Sequence, residues 1–364
     1  MTLTLFNSQI VKKRQESESD FSTLNNSSGE ENQKVKAMLE DWFKKIPESE
    51  KKRLRKDFRS DDNHTHWSGF FELFLHELFS LSDYQVEVHT SSDKTKRKPD
   101  LFMKKDNVHF YVEAITRSDS DSEKRICHRL NTVETFFKSL KLSRDILVRI
   151  KAIPYRNPDI ILEELNNEIK PYLTSIIDKP IEFLGKYNIN NWDLEFRIAS
   201  IKKDKCGCSI IGMVDEWDVY DYISAAVEMK HPSNYKLLAK PFIIAINIHP
   251  VNNKPINRDL IFDSIFGKIT YLHESKHALY TEGIFVAYDK KDKEFKYDNK
   301  DIIGLLVIDN LDAWSLADKK ATLYLNPVAN NPISNDILPI DTVYYDEEKG
   351  EYVTIKGNDE LFNL

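Results

Sequence analysis

Hydrophobic residues follow a polar N-terminal segment and recur at the spacing of helices. The segment up to about residue 32, which contains ESESDFSTLNNSSGEENQ, has the composition of a mobile arm. In NQKVKAMLEDWFKKI the apolar positions return every three or four residues, and after Pro47 the segment SEKKRLRKDF indicates a basic helix. We therefore predict a mobile arm and a helical prefix over residues 1–62.

Strand-length patterns begin after a third helical segment. HWSGFFELFLHELFSL is strongly apolar and predicts a helix, and YQVEVHT, KPDLFMK and VHFYVEAIT predict three strands. A helix, SEKRICHRLNTVETFFKSL, and a buried strand, ILVRIKAI, come next. The predicted order over residues 63–155 is αβββαβ.

The rest of the chain, residues 156–364, continues with helices and strands. They include the helix DVYDYISAAVEMKHPSNYKLLA and the strand PFIIAINI. No internal repeat and no linker rich in glycine or proline separates this part from the preceding core. The predicted fold class is α/β, with the C-terminal extension packed on the same sheet.

Charge and cysteine content narrow the class of protein. A formal net charge of -7 gives no overall attraction to nucleic acid or anionic membranes, so such binding must come from local patches. Three cysteines cannot build a disulfide framework, and the N-terminus lacks the pattern of a signal peptide. No apolar run approaches the roughly 20 residues of a membrane span. We expect a soluble, cytoplasmic protein that does not bind membranes.

Three carboxylates are the first candidate chemistry. Asp100 and Glu113 would lie on adjacent strands, with Glu72 leaning over the same end of the sheet. Such a cluster is unfavourable unless a cation neutralises it, and oxygen ligands suit Mg²⁺ or Mn²⁺. Taken singly, Asp100 also fits a Pro-Asp turn and Glu113 a solvent-facing strand position. Taken together, the three predict a metal site that can polarise a phosphodiester and activate water.

These residues resemble a known superfamily. Glu72 in a helix, then KPD with Asp100, then YVEA with Glu113, in the αβββαβ order, look like the PD-(D/E)xK or restriction-endonuclease-like nucleases. The chain also resembles uncharacterised bacterial proteins with a W-x-G-x-x-E-L-x-L-H-E-L opening followed by RPD and EA signatures, and loosely through KLLAKPFIIAIN and YLNPVANNPI. The resemblance implies a metal-dependent endonuclease with these three carboxylates as catalytic residues and metal ligands.

One position departs from the superfamily pattern. The pattern would place a lysine two residues after Glu113, where this chain has Ile115. The lysine normally stabilises developing negative charge, so another residue must supply the cation or the site is degenerate. Lys98 is the first substitute, because residues two apart on a strand point to one face. Further candidates for the site are Lys124 and Arg125 as cations, Thr116 as a hydroxyl that positions water, and His76 as a base, as a phosphate contact or simply as a partner of Glu72.

Basic residues around the second strand form a candidate nucleic-acid patch on an acidic protein. An ordinary solvated loop would have the same composition. The residues of this patch are Lys94, Lys96, Arg97, Lys98, Lys104 and Lys105, and Lys124 and Arg125 are further candidates for nucleic-acid binding.

A rival motif is HESKH, which satisfies the zinc-protease pattern H-E-x-x-H. It would make His273 and His277 zinc ligands and Glu274 the general base. The surrounding sequence indicates strands rather than the helix that this site requires. We therefore predict that this segment is not a zinc site.

The expected function is metal-dependent hydrolysis of phosphodiester bonds, with a role in bacterial defence suggested by analogy alone. The expected cofactor is Mg²⁺ or Mn²⁺, and the expected partners are nucleic acid, DNA before RNA, and a second copy of the chain. The alternative is a nucleic-acid-binding or interaction protein that keeps the fold without turnover. A zinc metalloprotease is the remote alternative.

Overall fold

The computed structural model describes most of the chain, in two separate units. One unit consists of Met1–Ser118 with Asp218–Leu364, and the other of Asp119–Trp217. The described residues are 3–7, 19–88, 98–118, 133, 135–152, 162–181, 183–189, 192–198, 208–213, 219–235, 240–249, 256–267, 269–271, 278–280, 282–289, 294–316 and 320–358.

Helices precede the first strand and recur later in the chain. A π-helical turn, Leu165–Ile169, joins α5 to α6, and a 3-10 turn, Pro232–Tyr235, follows α7. In chain order the helices are α1 (Asp20–Asn26), α2 (Glu30–Lys45), α3 (Glu48–Phe58), α4 (Asn63–Leu81), α5 (Leu162–Glu164), α6 (Lys170–Ile176), α7 (Val219–Lys230) and α8 (Arg258–Phe266).

The strands fall into one large sheet and several smaller ones. In chain order they are β1 (Gln85–Val88), β2 (Leu101–Lys105), β3 (Val108–Ser118), β4 (Ile146–Ala152), β5 (Leu184–Ile189), β6 (Trp192–Ile198), β7 (Cys208–Met213), β8 (Phe242–His249), β9 (Ile269–Tyr271), β10 (Ala278–Tyr280), β11 (Val286–Asp289), β12 (Glu294–Tyr297), β13 (Gly304–Asp309), β14 (Thr322–Leu325), β15 (Asp341–Asp346) and β16 (Glu351–Ile355).

The large sheet organises the first unit. Its strand order is β1-β2-β3-β8-β13-β14-β15-β16, and β3, β8 and β13 are parallel neighbours at its centre. Every residue of β8 is buried, as expected for a continuous apolar run covered on both faces. The predicted α/β class is thus confirmed as a mixed α/β fold. Within the described residues, no helix is both long enough and apolar enough to cross a bilayer.

Part of the segment predicted as a mobile arm forms a helix, while residues 8–18 of that segment lie outside the described residues. Residues 20–26 form α1, whose N-cap is Ser19, and Phe21 is buried. Phe21 packs edge-on against Phe58 with ring centroids 6.1 Å apart, and Trp67 Nε1 donates a hydrogen bond to Asp20 at 2.8 Å. These contacts order a segment whose composition alone is that of a disordered one.

The strand ILVRIKAI was assigned to the wrong sheet by the sequence analysis. It forms β4, which lies in the second unit, where the strand order is β5-β6-β4-β7. The strand beside β3 is β8 instead. The burial patterns show why β8 rather than β4 is the central strand. In β4, buried Ile146 and Val148 alternate with exposed Arg149, as in a sheet with one exposed face, whereas β8 is buried throughout. The unit boundaries, 118/119 and 217/218, therefore also differ from the predicted divisions at 62/63 and 155/156.

The second unit has a hydrophobic core of its own. Trp192, Phe137 and Phe196 are buried, and the π-helical turn and α6 contribute buried aliphatic residues to the same cluster. Residues 119–217 therefore form an insertion in the chain between β3 and α7.

Candidate functional site

A cleft in the first unit collects the polar side chains of α4, β3 and α7. Its volume is about 270 Å³. The residues that line it are His64, Ser68, Phe71, Glu72, Asp100, Ala114, Ile115, Thr116, Arg117, Met229 and Lys230.

The backbone of β2 and β3 holds Asp100 beside Glu113. Asp100 directly precedes β2, and the pairing of Leu101 with Val112 places it opposite Glu113. The Asp100 amide donates to Glu113 Oε2 at 2.9 Å, and the Ala114 amide donates to Asp100 Oδ2 at 2.9 Å. The structure thus brings together the two carboxylates that the sequence analysis placed on adjacent strands.

Lys230, the last residue of α7, supplies a cation to this pair. Its Nζ donates a hydrogen bond to Glu113 Oε1 and lies 3.9 Å from Asp100 Oδ2. The hydroxyl of Tyr235, in the 3-10 turn after α7, donates to the same Glu113 oxygen at 2.7 Å. Burial disfavours the charge of Lys230, but the two carboxylates outweigh burial and raise the pKa of Lys230.

Asp100 has an unusual ionisation. Burial and then the charge of Glu113 raise its pKa to about 6, although Lys230 and the Ala114 amide act in the opposite direction. Burial, the larger cause, makes the charged form of Asp100 costly, and Glu113 adds the repulsion of a like charge. Perturbed carboxyl groups in clefts are typical of functional sites.

Glu72 lines the same cleft but is held by a different cation. Arg53 on α3 donates through Nη1 to Glu72 Oε1 at 3.2 Å and through Nη2 to Oε2 at 2.6 Å. The same guanidinium lies 3.3 Å from Asp57 and 3.6 Å from Glu50. Burial raises the pKa of Glu72, and the hydrogen bonds from Arg53 oppose that rise.

Close packing of α3 against α4 permits the contact between Arg53 and Glu72. A Cβ atom on Gly69 would lie 2.7 Å from the backbone nitrogen of Phe58, so only glycine fits there. Among the described residues, no group of three or more Asp, Glu, His and Cys side chains is close enough together to hold a metal ion. Asp100 and Glu113 are in direct contact, and Glu72 lines the cleft with Asp100 but is bound by Arg53.

Three other predicted residues lie elsewhere in the first unit. His76 is buried at 6% exposure and does not line the cleft, and burial followed by the charge of Lys45 lowers its pKa to about 4. Lys104 pairs with Glu87 in β1, and Lys105 donates to the carbonyl of Ser82, just before β1, at 2.8 Å.

Lys98, the substitute cation predicted from the sequence, is exposed. In the described part of the chain it forms no ion pair with Asp100 or Glu113, and Lys230 takes that place. Several predicted residues lie outside the described residues: Lys94, Lys96, Arg97, Lys124, Arg125, His273, Glu274 and His277.

Sequence reasoning missed Lys230, Tyr235 and Arg53. Lys230 lies 117 residues from Glu113 because residues 119–217 intervene. A usable signal was present, since the apolar segment PFIIAINI is the best candidate for a central parallel strand and Lys230 ends the helix before it. With residues 119–217 set aside, that helix follows β3 in the chain order.

Comparisons with known proteins add nothing to this geometry. Neither a protein-family model, nor a curated protein, nor a solved structure matches this chain.

Proposed function

We propose that the chain is a metal-dependent nuclease that hydrolyses phosphodiester bonds with Asp100, Glu113 and Lys230. The carrying observation is the ammonium group of Lys230 on the two carboxylates, in a cleft. It provides the cation that the superfamily pattern would place at Ile115. When residues 119–217 are set aside, α4, β1, β2, β3, α7 and β8 follow one another in the αβββαβ order.

The donor set fits a hard divalent cation. Asp100 and Glu113 offer carboxylate oxygens, which Mg²⁺ and Mn²⁺ prefer, and the two carboxylates face one ammonium group, that of Lys230. These two residues would hold the ion, with Glu72 as a further carboxylate in the same cleft. Such an ion supplies Lewis-acid polarisation of a phosphodiester and a more acidic bound water.

The chain's own residues prepare the remaining chemistry. Tyr235 and the Asp100 amide fix the carboxylate of Glu113, so that it needs no reorganisation when a ligand arrives. The ammonium group of Lys230 places a hydrogen-bond donor beside Glu113 and can stabilise negative charge that develops on a phosphate. We expect DNA before RNA as substrate, and a role in bacterial defence remains an analogy.

Purified protein incubated with plasmid DNA and with RNA, with and without Mg²⁺ or Mn²⁺, tests this proposal. We expect cleavage that requires the metal, stops with EDTA and is abolished by Asp100→Asn. Lys98→Ala is the matched control, because Lys98 is exposed and should leave the rate near that of the wild type. No cleavage of either nucleic acid with either metal would contradict the proposal.

A second function is favoured by one specific observation. Glu72 is already neutralised by Arg53, and Glu113 is already bound by Lys230 and Tyr235, so the cluster is satisfied in part without a metal. An interaction or nucleic-acid-binding protein without turnover would have this arrangement. Metal-independent binding of DNA together with no cleavage in the same experiment would select this function.

A further inference from the structure

Two residues at the end of β3 line the cleft, and each has a buried polar side-chain atom without a hydrogen-bond partner among the described residues. Thr116 is buried at 4% exposure, and its hydroxyl has no hydrogen-bond partner among the described residues. Arg117 is half-buried, and its Nε likewise lacks an acceptor in the described part of the chain. Both residues line the cleft beside Lys230. Buried donors without acceptors are uncommon and costly, which suggests that a ligand supplies the acceptor.

The charge of Arg117 also lacks a counter-ion. No carboxylate within the described residues pairs with it, and its Nη1 lies 3.5 Å from the sulfur of Met229, a weak acceptor. Lys230, by contrast, is engaged by Glu113 and Asp100, and Arg53 is engaged by Glu72. Arg117 is therefore the cleft-lining cation with charge left to offer to an anion.

We propose that Thr116 and Arg117 form a phosphate-binding subsite within this cleft. A planar guanidinium binds phosphate oxygens through parallel hydrogen bonds, and a threonine hydroxyl is a common further donor. The natural ligand, a backbone phosphate next to the cleaved bond of a nucleic-acid strand, rests on the proposed nuclease function. The anion binding itself does not, because neither residue is a proposed metal ligand.

The carboxylates that line the cleft are bound by groups other than Arg117. Glu72 is bound by Arg53, and Asp100 is bound by the Ala114 amide and approached by Lys230. Thr116 and Arg117 lie two and three residues beyond Ala114 along β3, away from Asp100.

Binding of a fluorescent single-stranded DNA 12-mer in EDTA tests the subsite. The full-length Asp100→Asn protein serves as the background, so that neither metal nor cleavage affects the result. We expect Arg117→Gln to weaken binding about tenfold or more and to reduce the slope of log K against log salt by about one. Lys56→Gln removes an exposed charge on α3 and should change affinity less than about twofold.

Thr116→Val separates a binding role from a structural one. Valine has the same shape without the hydroxyl, so the variant should unfold at the same or a higher temperature while binding the 12-mer several-fold more weakly. Lower stability with unchanged binding would assign the hydroxyl to the fold and would contradict the subsite. Arg117→Lys should recover part of the affinity, because it restores the charge but not the planar fork.

Competition identifies the source of the phosphate. Inorganic phosphate and a 5′-mononucleotide are added to the labelled complex of the wild type and of Arg117→Gln. If inorganic phosphate or the mononucleotide competes with the wild type but not with Arg117→Gln, the site binds free phosphate groups. If only unlabelled strand competes, and does so more weakly in Arg117→Gln, the site binds a backbone phosphate. Both outcomes support the subsite even if the protein cleaves nothing. Equal binding by Arg117→Gln and Lys56→Gln would overturn it, whatever the nuclease assay shows.

Discussion

Two carboxylate–cation pairs lie at the cleft, which Glu72 lines from one pair and Lys230 from the other, and they are built in different ways. Glu113 is fixed by the backbone of β2 and β3 and receives Lys230 from a distant helix, with Asp100 alongside. Glu72 is clamped by both arms of Arg53 between two consecutive helices, and Arg53 also serves Asp57 and Glu50. In the first pair the ammonium group of Lys230 meets two carboxylates. In the second, one guanidinium joins acids of two packed helices, Glu50 and Asp57 on α3 and Glu72 on α4. We infer that the Glu113 pair carries chemistry and that the Arg53 pair mainly holds α3 on α4.

The largest expected effect is on the rate of cleavage and concerns the pair of Glu113 and Lys230. Lys230→Ala should lower metal-dependent cleavage by about 10²–10³, because a group that stabilises transition-state charge is lost. The same variant should bind Mn²⁺ at least as tightly as the wild type, since a cation that competes for Glu113 has been removed. Single-turnover assays and Mn²⁺ titration measure the two quantities. A parallel loss of both would assign Lys230 to positioning the metal ligands.

The next effect concerns stability at the other pair. Arg53→Gln should lower the free energy of unfolding by about 2 kcal/mol, because Glu72 and the nearly buried Glu50 lose their counter-ion. Urea denaturation measures the change, and exposed Lys52→Gln on the same helix is the matched control. The double variant Arg53→Met with Glu72→Met should regain much of the loss. If Arg53→Gln is as stable as Lys52→Gln, the clamp is not structural.

The last effect concerns the pH dependence of stability and comes from the helix that carries Glu72. His76 has its pKa lowered from 6.5 to about 4, so between those pH values the unfolded chain binds a proton that the folded protein does not. The stability that neutral His76 preserves is therefore full above about pH 6.5 and is lost as the pH falls toward 4. His76→Gln should reduce the pH slope of unfolding free energy by up to about 1.4 kcal/mol per unit.

Urea titrations of the wild type and of His76→Gln at several pH values check this. An unchanged slope in His76→Gln would mean that His76 is solvated in the folded protein.

Local patterns predicted the helices and strands themselves better than they predicted which strands lie side by side in a sheet. The helical period of α2 to α4 and the apolar run of β8 follow from the spacing of side chains, and Asp100 and Glu113 meet because a short turn joins their strands. The sheet that β4 joins depends on packing far along the chain, so sequence reasoning chose the wrong one. Lys230 was missed for the same reason, since an insertion with its own core separates it from Glu113.

Arg53 was missed for a different reason. It lies in a run of basic residues, KKRLRK, in which one arginine cannot be told from its neighbours by spacing alone. Its role depends on the close approach of α3 to α4 at Gly69, which is a property of the packed helices.

Calorimetric titration of the wild-type protein with Mn²⁺ tests the central claim most directly. We predict about one ion per chain, with binding lost in both Asp100→Asn and Glu113→Gln but retained in Lys98→Ala. Circular dichroism of each variant checks that the fold is intact. Absence of Mn²⁺ binding by the wild type, or binding that survives both carboxylate substitutions, would contradict the assignment of a metal site to this pair.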